Sequence, residues 1–251
     1  MEIVGIIQAR MGSSRLPGKV LSDILGKPML ELQIGRLRRA GRISRLVLAT
    51  TESPADDPVA ELGERLGLAI FRGSERDVLD RYYQAASEAH AVHVMRLTAD
   101  CPLIDPEVCD RAAVEYEGLG CDYLRTGVSF AEGLDCEIIS MQALEVSWRE
   151  ARLSSEREHV TLFVRNHPER FRIAVLENER DDSGVRITVD VPEDLAVVRA
   201  VFAAFAHDPF GVGIREVRDF LATHPQVAAL NSRVVRNEGL AKSLTEDRGA
   251  S

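Results

Sequence analysis

Seven residues between positions 10 and 19 have the chemistry to hold an anion. Arg10, Arg15 and Lys19 are cations, Ser13 and Ser14 carry hydroxyls, and Gly12 and Gly18 free the backbone. Cations and hydroxyls in one short stretch are donors for phosphate oxygens, and glycine lets a backbone come close to a ligand. The stretch is not a dinucleotide fingerprint, because G-x-G-x-x-G is absent. Nor is it a Walker A loop, which reads G-x-x-x-x-G-K-[ST]: the segment from Gly12 to Gly18 is one residue too long, and Val20 follows Lys19. The alternative is a basic surface turn, although solvation alone gives no reason for three cations directly behind an apolar run.

Two aspartates stand where a divalent cation could be held. Asp100 follows the run His93–Leu97, and Asp190 follows Val185–Val189. A hard ion such as Mg2+ takes carboxylate oxygens together with substrate phosphate oxygens. Asp190 also lies two residues before Pro192, so a helix N-cap is its competing role, and Asp105 before Pro106 reads as a cap. Asp135 and Glu137 are two residues apart and so share one side of a strand. Such a pair can hold hydroxyls or a metal, or can simply solvate an edge strand. Glu158, His159 and His167 lack the H-E-x-x-H spacing, and His90 and His93 read as structural. Cys101, Cys109, Cys121 and Cys136 form no C-x-x-C pair, which argues for reduced, partly buried thiols rather than a zinc site.

These side chains need a frame to position them. Ile3–Ile7 reads as a strand buried on both faces, as in a parallel sheet. A loop at the carboxyl end of such a strand is where open α/β sheets place their ligands. Pro28 can open a helix with Leu30, Ile34 and Leu37 on one face. Its arginines, Arg36, Arg38 and Arg39, with Arg42 just beyond, read as a solvated surface. Strands are expected at Arg45–Thr50, Leu68–Phe71 and His93–Leu97, with helices at Pro58–Gly67 and Val78–Ala89, the latter opened by Asp77. This alternation predicts a parallel, doubly wound sheet.

From Cys121 the pattern changes. Cys121–Leu124 and Cys136–Ser140 read as strands around a glycine-rich turn. Helices are expected over Met141–Arg152 and from Ser155 to Asn166, a strand over Phe171–Leu176, and a turn at Asp181–Gly184. Val185–Val189 reads as the last clear strand, followed by helices from Asp190 to Phe205 and over Ile214–Thr223. The tail from Asn231 to Ser251 is polar and is expected to be loosely ordered. The expected organisation is thus one domain over 1–230 with a tail over 231–251.

A chain of 251 residues is long enough for one α/β domain with a sizeable core. No apolar run approaches the roughly 18 residues of a membrane helix, and no basic-then-apolar leader opens the sequence. A cytoplasmic protein without a membrane partner is the expectation. The net charge of -9 argues against nucleic acid. Residues 1–45 nevertheless carry nine Lys or Arg against three Asp or Glu, which points to a local anion site.

The opening QARMGSSRLPGKVLSDILGKPML resembles that of the sugar-activating cytidylyltransferases, the CMP-3-deoxy-manno-octulosonate and CMP-sialate synthetase group. It is most similar to the spore-coat polysaccharide biosynthesis protein F family. The segments FRGSERDVLDRYY, RLTADCPLID, GLDCEII, EREHVT and ITVDVPEDL resemble that family in the same order. The resemblance implies a three-layer, Rossmann-like nucleotide-diphospho-sugar transferase fold, with a mostly parallel mixed sheet, a small acceptor region and a homodimer. It implies transfer of CMP from CTP to an acidic sugar, with Mg2+ and release of pyrophosphate, in polysaccharide biosynthesis. It also implies roles. Ala9, Arg10, Gly12, Ser13, Ser14, Arg15, Lys19, Arg72 and Asp100 would contact the nucleotide, and Asp100 and Asp190 would hold the metal. Asp135, Glu137, Arg157 and His159 would meet the sugar, while Arg10, Lys19, Asp100 and Asp190 would carry catalysis. A nucleotidyltransferase using another NTP or a sugar 1-phosphate, and a non-catalytic nucleotide-binding partner protein, are the alternatives.

Overall fold

The computed structural model describes residues 1–236 and 238–250. Its strands are β1 (Ile3–Gln8), β2 (Asp23–Ile24), β3 (Lys27–Pro28), β4 (Arg45–Thr51), β5 (Ala69–Gly73), β6 (His93–Thr98), β7 (Tyr123–Thr126), β8 (Glu137–Ser140) and β9 (Ile173–Leu176). Its helices are α1 (Met29–Leu37), α2 (Asp57–Arg65), α3 (Val78–Glu88), α4 (Pro106–Leu119), α5 (Met141–Glu150), α6 (Ser154–Glu158), α7 (Leu162–Asn166), α8 (Pro192–Ala204), α9 (Ile214–Thr223), α10 (Pro225–Ala228) and α11 (Glu238–Ala250).

Seven strands form one sheet in the order β5-β4-β1-β6-β8-β7-β9, while β2 and β3 pair separately. β1 alternates as a doubly covered strand must. Ile3 and Ile7 join the core cluster that holds α1, α2, α4 and α8, while Val4 and Ile6 join the cluster that holds α3, α5 and α7. Helices thus cover both faces, giving the three-layer, mostly parallel architecture expected.

β8 runs antiparallel to both its neighbours. This reversal matters for the site. The parallel strands bring their carboxyl ends to one edge, and β8 brings its amino end there. Glu137 therefore lies opposite Arg96 of β6 and opposite Arg125 of β7.

The helix signals act as caps where expected. Asp77 accepts from Asp80 N at 2.9 Å to open α3, and Asp105 accepts from Glu107 N at 2.9 Å to open α4. Asp190 is not a cap: α8 begins at Pro192, and it is Asp194 that accepts from the amides of Asp190 and Val191. The four cysteines are free and buried. Among the described residues no helix is long and apolar enough to cross a membrane.

Four expectations are corrected. Arg36 does not solvate a helix face. It is fully buried and donates to the carbonyls of Ile104, Pro209, Leu103 and Val212, pinning two loops to α1. Burial pushes its pKa down to about 10. The segment 185–189 is not a ladder strand. Its extended backbone finds single loop partners, with Glu132 N donating to Val185 O, Ile187 N to Glu132 O, and Val189 N to Asp100 O. The helix expected over 155–166 is broken into α6 and α7 at Val160, whose φ is 38°. Its side chain is fully buried, which offsets the strain of that conformation. Finally, the tail is not loosely ordered: residues 238–250 form α11.

Candidate active site

The loop after β1 is closed by its own backbone and by one buried carboxylate. Ser13 N and Gly18 N both donate to Met11 O, at 2.9 and 3.0 Å, and Met11 N donates to the buried Asp56 at 2.6 Å. Ser13 Oγ accepts from Leu16 N at 3.3 Å, so this hydroxyl caps the turn. Gly18, at φ 72°, turns the chain so that Lys19 enters the interior. That left-handed conformation is the one glycine adopts without steric cost.

Lys19 Nζ then donates to Val189 O at 2.6 Å and Asp190 Oδ1 at 2.9 Å, and lies 3.4 Å from Asp100 Oδ2. The two aspartates reach it from different segments. Val189 N and Thr188 Oγ1 both donate to Asp100 O, at 2.8 and 3.2 Å, and this stitches the end of β6 to the segment before α8. Asp190 also receives Arg15 Nη2 at 2.9 Å and Arg186 Nη2 at 3.1 Å. Arg186 is anchored by Asp194 at 2.8 Å and Glu132 at 2.5 Å.

Burial works against the charge on Lys19, but Asp100 and Asp190 outweigh it and raise its pKa above the ordinary lysine value. Burial likewise pushes Asp100 up, but Lys19 and the hydrogen bonds of Thr98 and Cys101 hold it below the usual carboxylate range. Both groups are therefore charged at neutral pH.

Two joined chambers open over this cluster. The larger, about 650 Å³, is lined by Ala9, Arg10, Gly12, Ser13, Ser14, Arg15, Lys19 and Asp100, with Gln8 and Thr98 at the strand ends. The smaller, about 300 Å³, is lined by Asp100, Asp190, Asp135, Glu137 and His159, with Arg96, Arg125, Arg165 and Thr161. Arg15, Thr98, Asp100, Glu238 and Gly239 line both.

Asp135 and Glu137 do not act as a matched pair. Asp135 precedes β8, half exposed, and accepts from Gly133 N at 3.0 Å. Glu137 is held by Arg96 at 2.5 Å and by the hydroxyls of Tyr123 and Thr161. Burial raises the Glu137 carboxyl, but Arg96 and those hydroxyls bring it below the usual range. His159 Nε2 lies 3.0 Å from Ser243 Oγ, and burial lowers its pKa.

Two expected residues are not brought to either chamber. Arg72 turns back on its own neighbourhood, donating to Thr51 O and Ser53 O at 2.9 Å and pairing with Asp57 at 2.7 Å. Arg157 binds Asp77 and Trp148 O, clamping α6 to α3 and α5. Both are braces, because a nearby acceptor satisfies each guanidinium before it reaches the cleft. Conversely, Arg96, Arg125 and Arg165 escaped the sequence reading. The available signal was a cation inside an apolar strand run such as His93–Leu97, which must meet an opposite charge or a ligand.

A model of the cytidylyltransferase family matches residues 4–207. The chain belongs to the cytidylyltransferase family. The spore coat polysaccharide biosynthesis protein SpsF of Bacillus subtilis is 33% identical over 234 residues, covering 90% of this chain and 97% of SpsF. A 3-deoxy-manno-octulosonate cytidylyltransferase of Trichlorobacter lovleyi is 35% identical over 119 residues, 47% of this chain and 46% of its own length. The structure of a cytidylyltransferase from Leptospira borgpetersenii superposes with a TM-score of 0.86 at 32% identity, covering 91% of this chain and 97% of that one. The protein is thus a nucleotidyltransferase of the cytidylyltransferase family, and the matched region holds the basic loop, both aspartates, and Arg96, Arg125 and Arg165.

Proposed function

We propose that this cytidylyltransferase transfers CMP from CTP to an acidic sugar, releasing pyrophosphate, in surface polysaccharide biosynthesis. One observation carries the reading: the basic-loop chamber adjoins, across Asp100 and Arg15, a second chamber with three further arginines, Arg96, Arg125 and Arg165. The first fits a triphosphate, and the second fits an acceptor bearing a carboxylate.

Arg10, Arg15 and Lys19 bind the β- and γ-phosphates and stabilise the leaving pyrophosphate, while Gly12 and Ser14 let the loop approach them. The sugar hydroxyl oxygen forms a bond to the α-phosphorus as the bond from that phosphorus to the β-bridging oxygen breaks. The hydroxyl proton passes to solvent. Such transfer depends on positioning and charge neutralisation.

The donor set suits a divalent cation such as Mg2+. Asp100 and Asp190 offer hard carboxylate oxygens from two stitched segments, and no cluster of three or more protein ligands occurs among the described residues. Mg2+ is commonly held by one or two carboxylates plus substrate phosphates. Asp100 and Asp190 would hold the ion, and it would supply charge neutralisation at the α-phosphate.

The reaction is tested by pyrophosphate release with Mg2+, each of the four NTPs, and a panel of eight- and nine-carbon 2-keto sugar acids. CTP-selective release with one acid is expected. Release with another NTP, or with a sugar 1-phosphate in place of the acid, overturns the assignment. The working unit is proposed to be a homodimer, a state supported by the outer edge of β9, which no strand among the described residues covers. Sedimentation at micromolar concentration checks this, and a monomer there removes it.

A further inference from the structure

α11 lies outside the family match, which ends at residue 207, yet it walls both chambers. Two of its residues stand on groups assigned above to the substrates. Glu238 pairs with Arg15 Nη1 at 2.8 Å. The Ser243 hydroxyl donates to Glu158 at 2.7 Å and lies 3.0 Å from His159 Nε2. The helix is therefore fastened at its start to the phosphate loop, at its middle to the acceptor wall, and near its end to α6, where Ser155 N donates to Asp247 at 3.4 Å.

The fastening is mostly polar. Ser243 is buried, but Leu244 is 37% exposed and the Glu238 side chain is 61% exposed. A helix of 13 residues is marginal in water without apolar packing. Exposed polar ties with little buried apolar surface mark the least stable parts of a fold. The root of the helix is firmer. The buried Asn231 donates to Asp194 at 2.9 Å and to Arg186 O at 3.1 Å, and Arg236 donates to Val128 O and Phe130 O at 3.0 and 3.1 Å.

The carboxylate at the start of this helix opposes the ligand, whereas Lys242, which also lines the phosphate chamber, lies 3.8 Å from Glu246 of the same helix. Arg15 is held by Asp190 through one guanidinium nitrogen and by Glu238 through another. A triphosphate that takes Arg15 through either terminal nitrogen competes with a carboxylate already held there. Asp190 is tied further by Lys19 and Arg186, whereas Glu238 sits on the exposed rim. Glu238 is the carboxylate that yields.

We propose that α11 is an autoinhibitory lid: docked, it closes the mouth of the cleft and holds the Glu238 carboxylate on Arg15 in place of a phosphate. Nucleotide binding and release of the helix are then one equilibrium. This rests on the reading of the basic loop as the triphosphate site.

The test titrates the full chain, its Glu238→Gln variant and the chain 1–236 with CTP and, separately, with inorganic tripolyphosphate, both with Mg2+. Glu238→Gln should tighten binding about two- to fivefold, the size expected of one exposed pair. The chain 1–236 should tighten it at least as much. Amide exchange over residues 238–247 of the full chain should speed up when tripolyphosphate binds. Unchanged or weaker binding by a folded Glu238→Gln protein, or slowed exchange in the helix, overturns the lid. Should 1–236 fail to fold, Glu238→Gln decides alone. Tighter tripolyphosphate binding with no CTP binding keeps the lid and removes the nucleotide assignment. Failure of tripolyphosphate to bind any of the three proteins overturns the lid, since Glu238 would then exclude nothing.

Discussion

Lys19 is where the two carboxylate segments meet, so its loss and the loss of Asp100 should act alike. Lys19→Ala and Asp100→Ala should each remove on the order of 2–4 kcal/mol of transition-state stabilisation, roughly thirty- to a thousandfold in kcat/KM for pyrophosphate release. A folded Asp100→Ala protein with near-wild-type turnover would take that carboxylate out of the site. Glu137 belongs to the other chamber and supports a different prediction. Its removal leaves the Arg96 guanidinium, 18% exposed and with its Nε already unpartnered, without its carboxylate. Glu137→Gln should therefore cost about 1–3 kcal/mol in urea unfolding, less than a fully buried pair would, while the Kd for CTP stays unchanged. Residue types and spacing pointed to Arg10 and Asp100 because each lies two residues beyond a strand end, to Arg15 and Lys19 because they share the loop after β1, and to Asp190 through a strand that the structure replaces by an extended segment stitched to Asp100. Arg72 and Arg157 show the limit of that logic. Sequence places a cation near the cleft, but the acceptors Thr51 O, Ser53 O and Asp77, which are brought close only by the fold, decide where its guanidinium turns.

Elements with one strong periodicity were legible. β1, β4, β6, α1 and α3 follow from alternation, a 3.6-residue stripe and a capping aspartate. The misread segments are those whose backbone partners are single residues. Segment 185–189 has a strand's composition but pairs with Glu132 and Asp100 in place of a strand, and Val160 breaks a helix that its flanking residues favour. α11 escaped because its 238–250 sequence is polar, and what orders it is docking on Arg15, Glu158 and His159. Gly35 gives a prediction at this scale. It lies within α1, where helix propensity alone would favour alanine. A Cβ there would clash with the Phe210 ring, which packs on the same face in the loop that Arg36 pins. Gly35→Ala should thus destabilise by about 1–3 kcal/mol despite its better propensity. Adding Phe210→Leu should recover part of the loss, and a double-mutant cycle from urea titrations measures the coupling. Additive effects would mean that the ring does not set the packing of α1.

At the scale of the whole molecule, the shifted groups give stability a definite pH profile. His93 and His159 have pKa values lowered by burial, so the folded state resists their protonation. Their penalty begins as pH falls through the ordinary histidine value of 6.5. Asp100, Glu137 and Asp194 lie below the usual carboxylate range in the folded chain. The stability they contribute is present above the unfolded carboxylate values and is lost as pH falls through the folded ones. Asp135, though half exposed, is raised by the partial desolvation of its carboxyl in the cleft and by Glu137 and Asp100 nearby, and opposes this as a single group. On the alkaline side, burial raises Cys101 and Cys121, and the hydrogen bond with Cys109, together with burial, raises Cys136. An unfolded thiol ionises near 9.0 while these do not, so stability falls as pH rises past that value. Lys19, with its raised pKa, contributes fully below the unfolded lysine value and loses that contribution only as pH rises through the folded one. The expected Tm curve for the free chain is therefore flat near pH 7–8, falls below pH 6.5 and falls again, more steeply, below pH 4.5, with a separate decline above pH 9. Thermal unfolding across that range checks it, and His159→Asn should shrink the first step while leaving the second in place. A Tm that holds level from pH 7 down to about 5 would mean that the two histidines protonate without resistance, and so that the wall between His159 and α11 is open to water.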